Sequence, residues 1–320
     1  MPLLRTPSLS GAMLAAHADW STDPRKRWVS LARRDAPGRW EVAAPVPVGE
    51  PARLMEALLA PGLPVAMGLD LPLGLPRAYA ETRDEADFPA FLRGLAARPG
   101  FFQVNETLET IAADRPFYPA RGVKGMTRAS HAEALGLGGP EGLSRWCDRA
   151  TAERPAGAPV FWTLGANQSG KAAIAAWRDW LSPALAGGAP LRLWPFEGPL
   201  HALLAPGVAV LAEVYPAESM RHAGIRLSGS KRDQGARRKA GEAIRAALAE
   251  RRMAAETALE AAIEDGFGRD AAGEDRFDSL MGLLCLVGVL EGLRPDFVPE
   301  DAMIRRWEGW VLGQTALPQR

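Results

Sequence analysis

The stretch that most constrains this chain is Val65–Pro76, VAMGLDLPLGLP. Apolar or small residues lead into Asp70, and Pro72 stops the run because proline donates no hydrogen bond to a sheet ladder. The pattern predicts a buried strand over Val65–Asp70 with one charge at its C-terminal end. Gly74 and Pro76 then turn the chain away. A carboxylate at the mouth of a buried strand is costly unless something pairs with it. In open α/β sheets the carboxyl ends of strands are also where ligands sit. A fold for this chain therefore has to bring a cation, or groups that share one, to Asp70.

The preceding sequence supplies neighbours for that strand. Ala12–Ala18 is short and apolar and runs into Asp19, which predicts a first strand with a similar ending. Trp28–Ala32 and Trp40–Ala44 follow as strands, so three consecutive antiparallel strands are expected. Pro51–Leu59 has helical spacing at Leu54, Leu58 and Leu59 with proline at its start. The opening reads β-β-β-α-β. Further on, helices are expected over Asp84–Arg98, Ala129–Arg149, Lys171–Leu181, Arg232–Ala262 (in one or two pieces) and Asp275–Leu290. Strands are expected within Ala156–Leu164 and over Leu191–Phe196 and Val208–Val214.

Composition bounds the rest. With 320 residues, 47% of them apolar, the chain is long enough for one large α/β domain. Formal net charge is zero, so no global field draws it to nucleic acid or membrane, and any such attraction has to be local. Cys147 and Cys285 lack C-x-x-C spacing, which argues against a disulfide framework or a cysteine zinc site and fits a cytoplasmic setting. The first eighteen residues do not read as a signal peptide, since Arg5 and Pro7 interrupt them. Leu280–Leu290 is too short to span a bilayer, so no membrane partner is expected.

Four acidic positions share a setting. Asp19 and Asp70 end strands, Glu213 lies near the end of another, and Asp278 begins an apolar helix with Asp275 three residues earlier on the same face. Clustered carboxylates suit hard divalent cations, magnesium or manganese. Two such ions can stabilise the attacking and leaving oxygens of phosphodiester hydrolysis. Each position also has a plain structural reading: a turn cap at Asp19, loop amides at Asp70, an arginine partner for Glu213, and a helix N-cap at Asp275.

The segments ADWS (Ala18–Ser21), GLDLPLGLP (Gly68–Pro76), EVYPAES (Glu213–Ser219) and DRFDSL (Asp275–Leu280) resemble the successive blocks of domain-of-unknown-function family 429. They span residues 18 to 280 in the expected order, with Ser279 where the family pattern has alanine. The resemblance implies a ribonuclease H-like α/β fold, a mixed sheet of three antiparallel strands beside parallel ones and flanked by helices. In a single domain over 1–320, residues of about 77–195 would form a large helical insertion. It also implies a metal-dependent nuclease, with Asp19, Asp70, Glu213 and Asp278 catalytic. Those four, with Asp275, would ligate a two-ion magnesium or manganese site, and the substrate would be DNA or RNA.

Other signals bear on substrate. Gly165–Lys171, GANQSGK, matches the spacing of a phosphate loop, but Ala172 stands where a magnesium-binding Ser or Thr belongs. Lys171 remains a candidate phosphate contact at a helix start. Lys231–Arg252 carries eight basic residues against three acidic ones. Lys231, Arg238, Arg245 and Arg252 recur every seven residues, which predicts one basic flank of a helix; Lys231 and Arg238 are the candidates to reach substrate phosphates. Phe101, Phe102, Phe117 and Tyr118 would stack on bases or pack as a core satellite. His17 alternates with Asp19 on one strand face, where a structural role is favoured. The same residues admit two rivals: an actin-like or phosphate-loop phosphotransferase, with Asp19–Thr22 as a phosphate turn, and a non-catalytic scaffold or binding module.

Overall fold

The computed structural model describes residues 11–35, 38–121, 126–164 and 169–318. They form two compact units. The first takes in the described residues up to Asp70 together with Pro190–Phe297 and Leu312–Gln314; the second takes in Leu71–Ala189, Val298–Val311 and the described residues from Thr315.

The first unit is built on one mixed sheet. Its strands are β1 (Met13–Asp19), β2 (Trp28–Asp35), β3 (Arg39–Val42), β4 (Val46–Pro47), β5 (Val65–Leu69), β6 (Leu191–Leu193), β7 (Ala209–Glu213) and β8 (Met253–Ala255). The order is β6-β7-β5-β1-β2-β3-β8, with the short β4 also pairing with β2. β2 runs antiparallel to β1, β3 and β4, whereas β1, β5, β7 and β6 pair in parallel, as do β3 and β8. β2 is therefore the one reversed strand among the described residues.

The sequence accounts for this arrangement. β5 and β7 are buried at every position, as parallel strands covered on both faces must be. β3 alternates exposed and buried, with Trp40 and Val42 inward, as suits a strand wet on one side. Helix α1 (Pro51–Leu59), with proline at its start, buries Met55 and Leu58 and carries the chain from the antiparallel strands back to a strand parallel to β1.

The long helix Gly273–Leu290 lies against β1, β2, β5 and the helix Pro216–His222. Phe277 through Leu290 are all buried, which is why the run is apolar on every side rather than along one stripe. The helix begins at Gly273, earlier than the Asp275 start expected from sequence. Ala272 occupies the N-cap, so the N-cap role for Asp275 is corrected to a place in the first turn beside Glu274.

The segment Arg232–Ala262 is also corrected. It holds three helices, Gln234–Lys239, Gly241–Glu250 and Thr257–Asp265, and β8 lies between the last two. Lys231 precedes the first helix, and Arg252 follows the second with φ at 55°. The seven-residue spacing therefore does not trace one helix flank.

The second unit is helical and aromatic. Its helices include Phe88–Gly94, Arg128–Ala134 and Ser169–Ala176, the last running through a widened turn at Trp177–Leu181 into Ser182–Ala186. The expected helix over Ala129–Arg149 stops at Ala134, because Gly136, Gly138 and Gly139 take positive φ. The strand expected within Ala156–Leu164 is reduced to a single bridge between Tyr118 and Trp162. Phe101, Phe102, Phe117 and Tyr118 are all buried. Phe101 meets Phe91, Phe117 and Phe161 edge-on, so these rings are core and not a base-stacking surface. The far boundary of this unit falls before residue 195, since Leu191–Leu193 belongs to the sheet of the first unit. Both cysteines are buried.

Candidate functional site

Parallel pairing brings strand ends to one edge of the sheet. Ala18 pairs with Leu69, and Leu69 pairs with Glu213, so Asp19 and Asp70 are the next residues along two adjacent strands. The Asp70 N–H donates to the Ala18 carbonyl at 3.1 Å, which extends the ladder one step and fixes the Asp70 backbone. The two carboxyl groups are neighbours, close enough for the Asp70 charge to raise Asp19.

The third carboxylate comes from the long helix. His17, on the same strand face as Asp19, hydrogen-bonds through Nδ1 to the Ser279 carbonyl at 3.0 Å. The Ser279 hydroxyl bonds that of Ser30, on the neighbouring strand, at 2.9 Å. The helix sits this close because residue 282 is glycine: a Cβ there would stand 2.2 Å from the imidazole. Gly68 leaves room on the sheet side, where a Cβ would be 2.8 Å from the same ring. His17 is fully buried, and burial holds its pKa down at about 4, outweighing the hydrogen bond, so the ring is neutral at physiological pH. This latch seats Ser279 on β1 and β2 and places Asp278 beside Asp19 and Asp70.

The electrostatics report the crowding. Asp19 is pushed well up by burial and then by the charges of Asp70, Asp278 and Asp275. Asp70 is raised to about 7 by burial, then by Asp278, with Glu213 contributing. Burial also raises Asp278, and it brings Asp275 to about 6. Against these acids stands the Lys231 ammonium. Its Nζ donates to Asp278 Oδ2 and lies 4.0 Å from Glu274. Burial would lower the Lys231 ammonium, but Asp278, Asp70 and Glu274 hold it above its ordinary value. Asp278 Oδ1 and Asp275 Oδ2 are buried without a hydrogen-bond partner.

The other candidate residues fall differently. Glu213 is fully buried, and by strand alternation it shares a face with its partners Leu69 and Ala18, opposite to that of His17 and Asp19. It reaches the cluster through its charge on Asp70. Asp275 sits one helical turn before Asp278. Arg238 is exposed within Gln234–Lys239, and Arg245 is paired with Glu260 at 2.8 Å. Lys171 lies in the second unit, in the helix Ser169–Ala176, while Gly165–Gln168 of the phosphate-loop match lie outside the described residues. In the Asp19–Thr22 turn, the Ser21 and Thr22 carbonyls accept from the Arg27 guanidinium, at 2.6 and 3.3 Å.

His17 shares the strand face of Asp19 and is structural, as its alternation suggested, but its partner, 262 residues away, was not readable. One positioning residue was not read from the sequence at all. Arg237 is buried and donates to the carbonyls of Lys231, of Gly266 at 2.9 Å and of Gly268 at 2.6 Å, anchoring the turn that carries Lys231. A lone arginine in a basic run gives no sign of such a role.

The donor chemistry of the cluster fits a hard divalent cation: all-oxygen donors that repel one another, one of them an unpartnered buried oxygen. Among the described residues no three such side chains are set at ligating positions, and one of the acids, Asp278, is paired with Lys231. Among the described residues, no helix is long and apolar enough to cross a membrane. No family model, curated protein or solved structure matches the chain.

Proposed function

We propose that the first unit is a divalent-cation-dependent phosphodiesterase acting on nucleic acid, on a ribonuclease H-like sheet. The observation that carries this reading is the meeting of Asp19, Asp70 and Asp278, from two adjacent strand ends and one helix, at the carboxyl edge of a parallel sheet. The mixed sheet supports that reading: β1, β2 and β3 pair antiparallel, and β5, β7 and β6 continue from β1 in parallel. The blocks resembling domain-of-unknown-function family 429 also coincide with the elements that build the cluster.

Magnesium or manganese held by Asp19, Asp70 and Asp278 would polarise a phosphoryl oxygen and lower the pKa of an attacking water. The chain's own residues set the rest. The β1–β5 ladder fixes two carboxylates, and the His17–Ser279 latch fixes the third. Lys231, the exposed Arg232 and Lys26, whose charge is felt at Asp275, put positive charge around the acids for a phosphate backbone to meet. Glu213 tunes Asp70 from the far face of the sheet.

A non-catalytic scaffold has one observation in its favour: the Lys231–Asp278 pair neutralises part of the cluster with no ion at all. One experiment separates the two. Labelled single- and double-stranded DNA and RNA are incubated with the purified chain in magnesium, manganese or EDTA. Cleavage that needs the divalent ion and is lost in Asp19→Asn and Asp70→Asn is expected. Failure of the parent to cut any of the four substrates in either metal rejects the nuclease reading in favour of the scaffold.

A further inference from the structure

Lys231 stands where a cation is wanted. Its ammonium contacts Asp278, lies 4.0 Å from Glu274 and is close enough to Asp70 for each to shift the other. Its backbone is fixed independently of that contact, since the buried Arg237 guanidinium holds the Lys231 carbonyl while also binding Gly266 and Gly268. The anchored part is thus the main chain, and the mobile part is a four-carbon stem with a point charge at its tip. The Lys231 side chain keeps about a third of its surface exposed, so its tip has a route to solvent. Asp278 is the complement: its side chain is nine-tenths buried, Lys231 takes Oδ2, and Oδ1 has no partner. One oxygen of the site is satisfied by the lysine, and the other waits for a donor that the described residues do not supply.

We propose that Lys231 is the resident counter-ion of the carboxylate cluster, competing with a divalent cation for Asp278, and that its ammonium, once displaced, turns to a phosphate of the substrate. The proposal rests on the metal reading of the site given above and adds the residue that gates it. A lysine in this place resolves a conflict. Three clustered carboxylates without a cation repel one another, yet a site filled permanently by an arginine fork would exclude the ion. A strongly hydrated ammonium on a flexible stem neutralises the acids and still gives way. The same tip then carries its charge to the substrate without moving the backbone, because Arg237 holds the turn in either state.

The test is calorimetric titration of manganese chloride into the full chain at about pH 8, comparing the parent, Lys231→Met and Asp278→Asn. Removing a unit charge a few ångströms from the site tightens manganese binding, roughly tenfold or more, so Lys231→Met is expected to bind more tightly than the parent and Asp278→Asn more weakly. Equal or weaker binding by Lys231→Met, with a parent that does bind, overturns the counter-ion role and leaves the metal site standing. Absence of manganese binding in both parent and Lys231→Met rejects the metal reading itself, and this proposal with it.

Should Lys231→Met fail to fold, the parent still decides the matter. The chain has five lysines, and the Lys231 side-chain methylene signal, identified by its loss in Lys231→Arg, is followed by NMR during magnesium addition. A shift that saturates with the ion is expected; a signal that stays in place while the ion binds overturns the displacement.

Discussion

Substituting Asp70 by Asn removes a buried charge while keeping the shape of the side chain, and the consequence depends on pH. In the folded chain the Asp70 carboxyl is raised to about 7, by burial first and the Asp278 charge second; in an unfolded chain it titrates near pH 3.9. Between those values the folded state binds the proton more tightly than the unfolded state. Stability therefore falls as pH rises from about 4 to about 7, and the loss is complete above the folded value. A shift of about three units corresponds to about 4 kcal/mol if all of it is expressed. Asp70 keeps part of its surface exposed, and Lys231 opposes the shift. A net effect of about 2 kcal/mol is the working figure after allowance for screening.

The amide that replaces the carboxyl does not titrate. With EDTA present, Asp70→Asn should be more stable than the parent by about 2 kcal/mol at about pH 8, or roughly 4–8 °C in Tm for a folding unit of this size. The advantage should shrink towards pH 4 and vanish below it, where the parent carboxyl is protonated in both states. Urea denaturation of both proteins across that range reads the difference directly, and subtraction cancels the titrating groups that do not feel the Asp70 charge. Excess manganese should reverse the order, because an ion that binds only the folded parent adds about 2.7 kcal/mol at a hundredfold excess over Kd. A parent more stable than Asp70→Asn at pH 8 in EDTA would refute the argument: Asp70 would then be held by favourable partners, as a structural carboxylate is.

Two further outcomes probe the latch that places Asp278. Gly282→Ala puts a methyl group 2.2 Å from the His17 ring and should cost about 1–3 kcal/mol in urea denaturation, whereas a neutral effect would mean the helix does not rest on His17. His17, with its folded pKa lowered to about 4, contributes stability that is full above the unfolded value near 6.5 and is lost as pH falls to about 4, by about 3 kcal/mol at most. His17→Asn should therefore flatten the parent's loss of stability over that window; an unchanged slope would show that the ring is not buried neutral.

Much of the sheet was legible because local pattern sets it. Val65–Leu69 is apolar or small throughout, Ala209–Glu213 is apolar up to its closing glutamate, and α1 matches the expected Pro51–Leu59. The acidic strand ends followed from the same pattern, since Asp19 and Asp70 stop runs that are otherwise apolar. Helix continuity was less legible. The seven-residue basic spacing is real, but Ala240 ends one helix and Gly241 opens another, and tertiary packing overrides a weak propensity signal at such a junction. Least legible were partners far apart in sequence. Lys231 read as a phosphate ligand because nothing nearby claims it, while its partner Asp278 lies 47 residues on. The face of Glu213 was hidden for a related reason: whether it points toward Asp19 depends on a register with β5 that only the assembled sheet defines.

What the cluster costs bears on what it is for. Asp19, Asp70 and Asp278 all carry raised pKa values with burial as the leading cause, so each makes the folded state less favourable at neutral pH than a well-packed apolar residue would. The molecule commits structure to keeping them there. Gly282 and Gly68 give up side chains to admit His17, whose ring seats the helix; Arg237 is buried to hold the turn behind Lys231. A purely structural ion pair needs one carboxylate for one lysine. Here three acids crowd about one ammonium, and an oxygen of the best-buried pair member remains unpartnered. An excess of negative charge held in place by costly contacts favours a site that completes its charge balance with something bound, and the cleavage assay sets that reading against the scaffold.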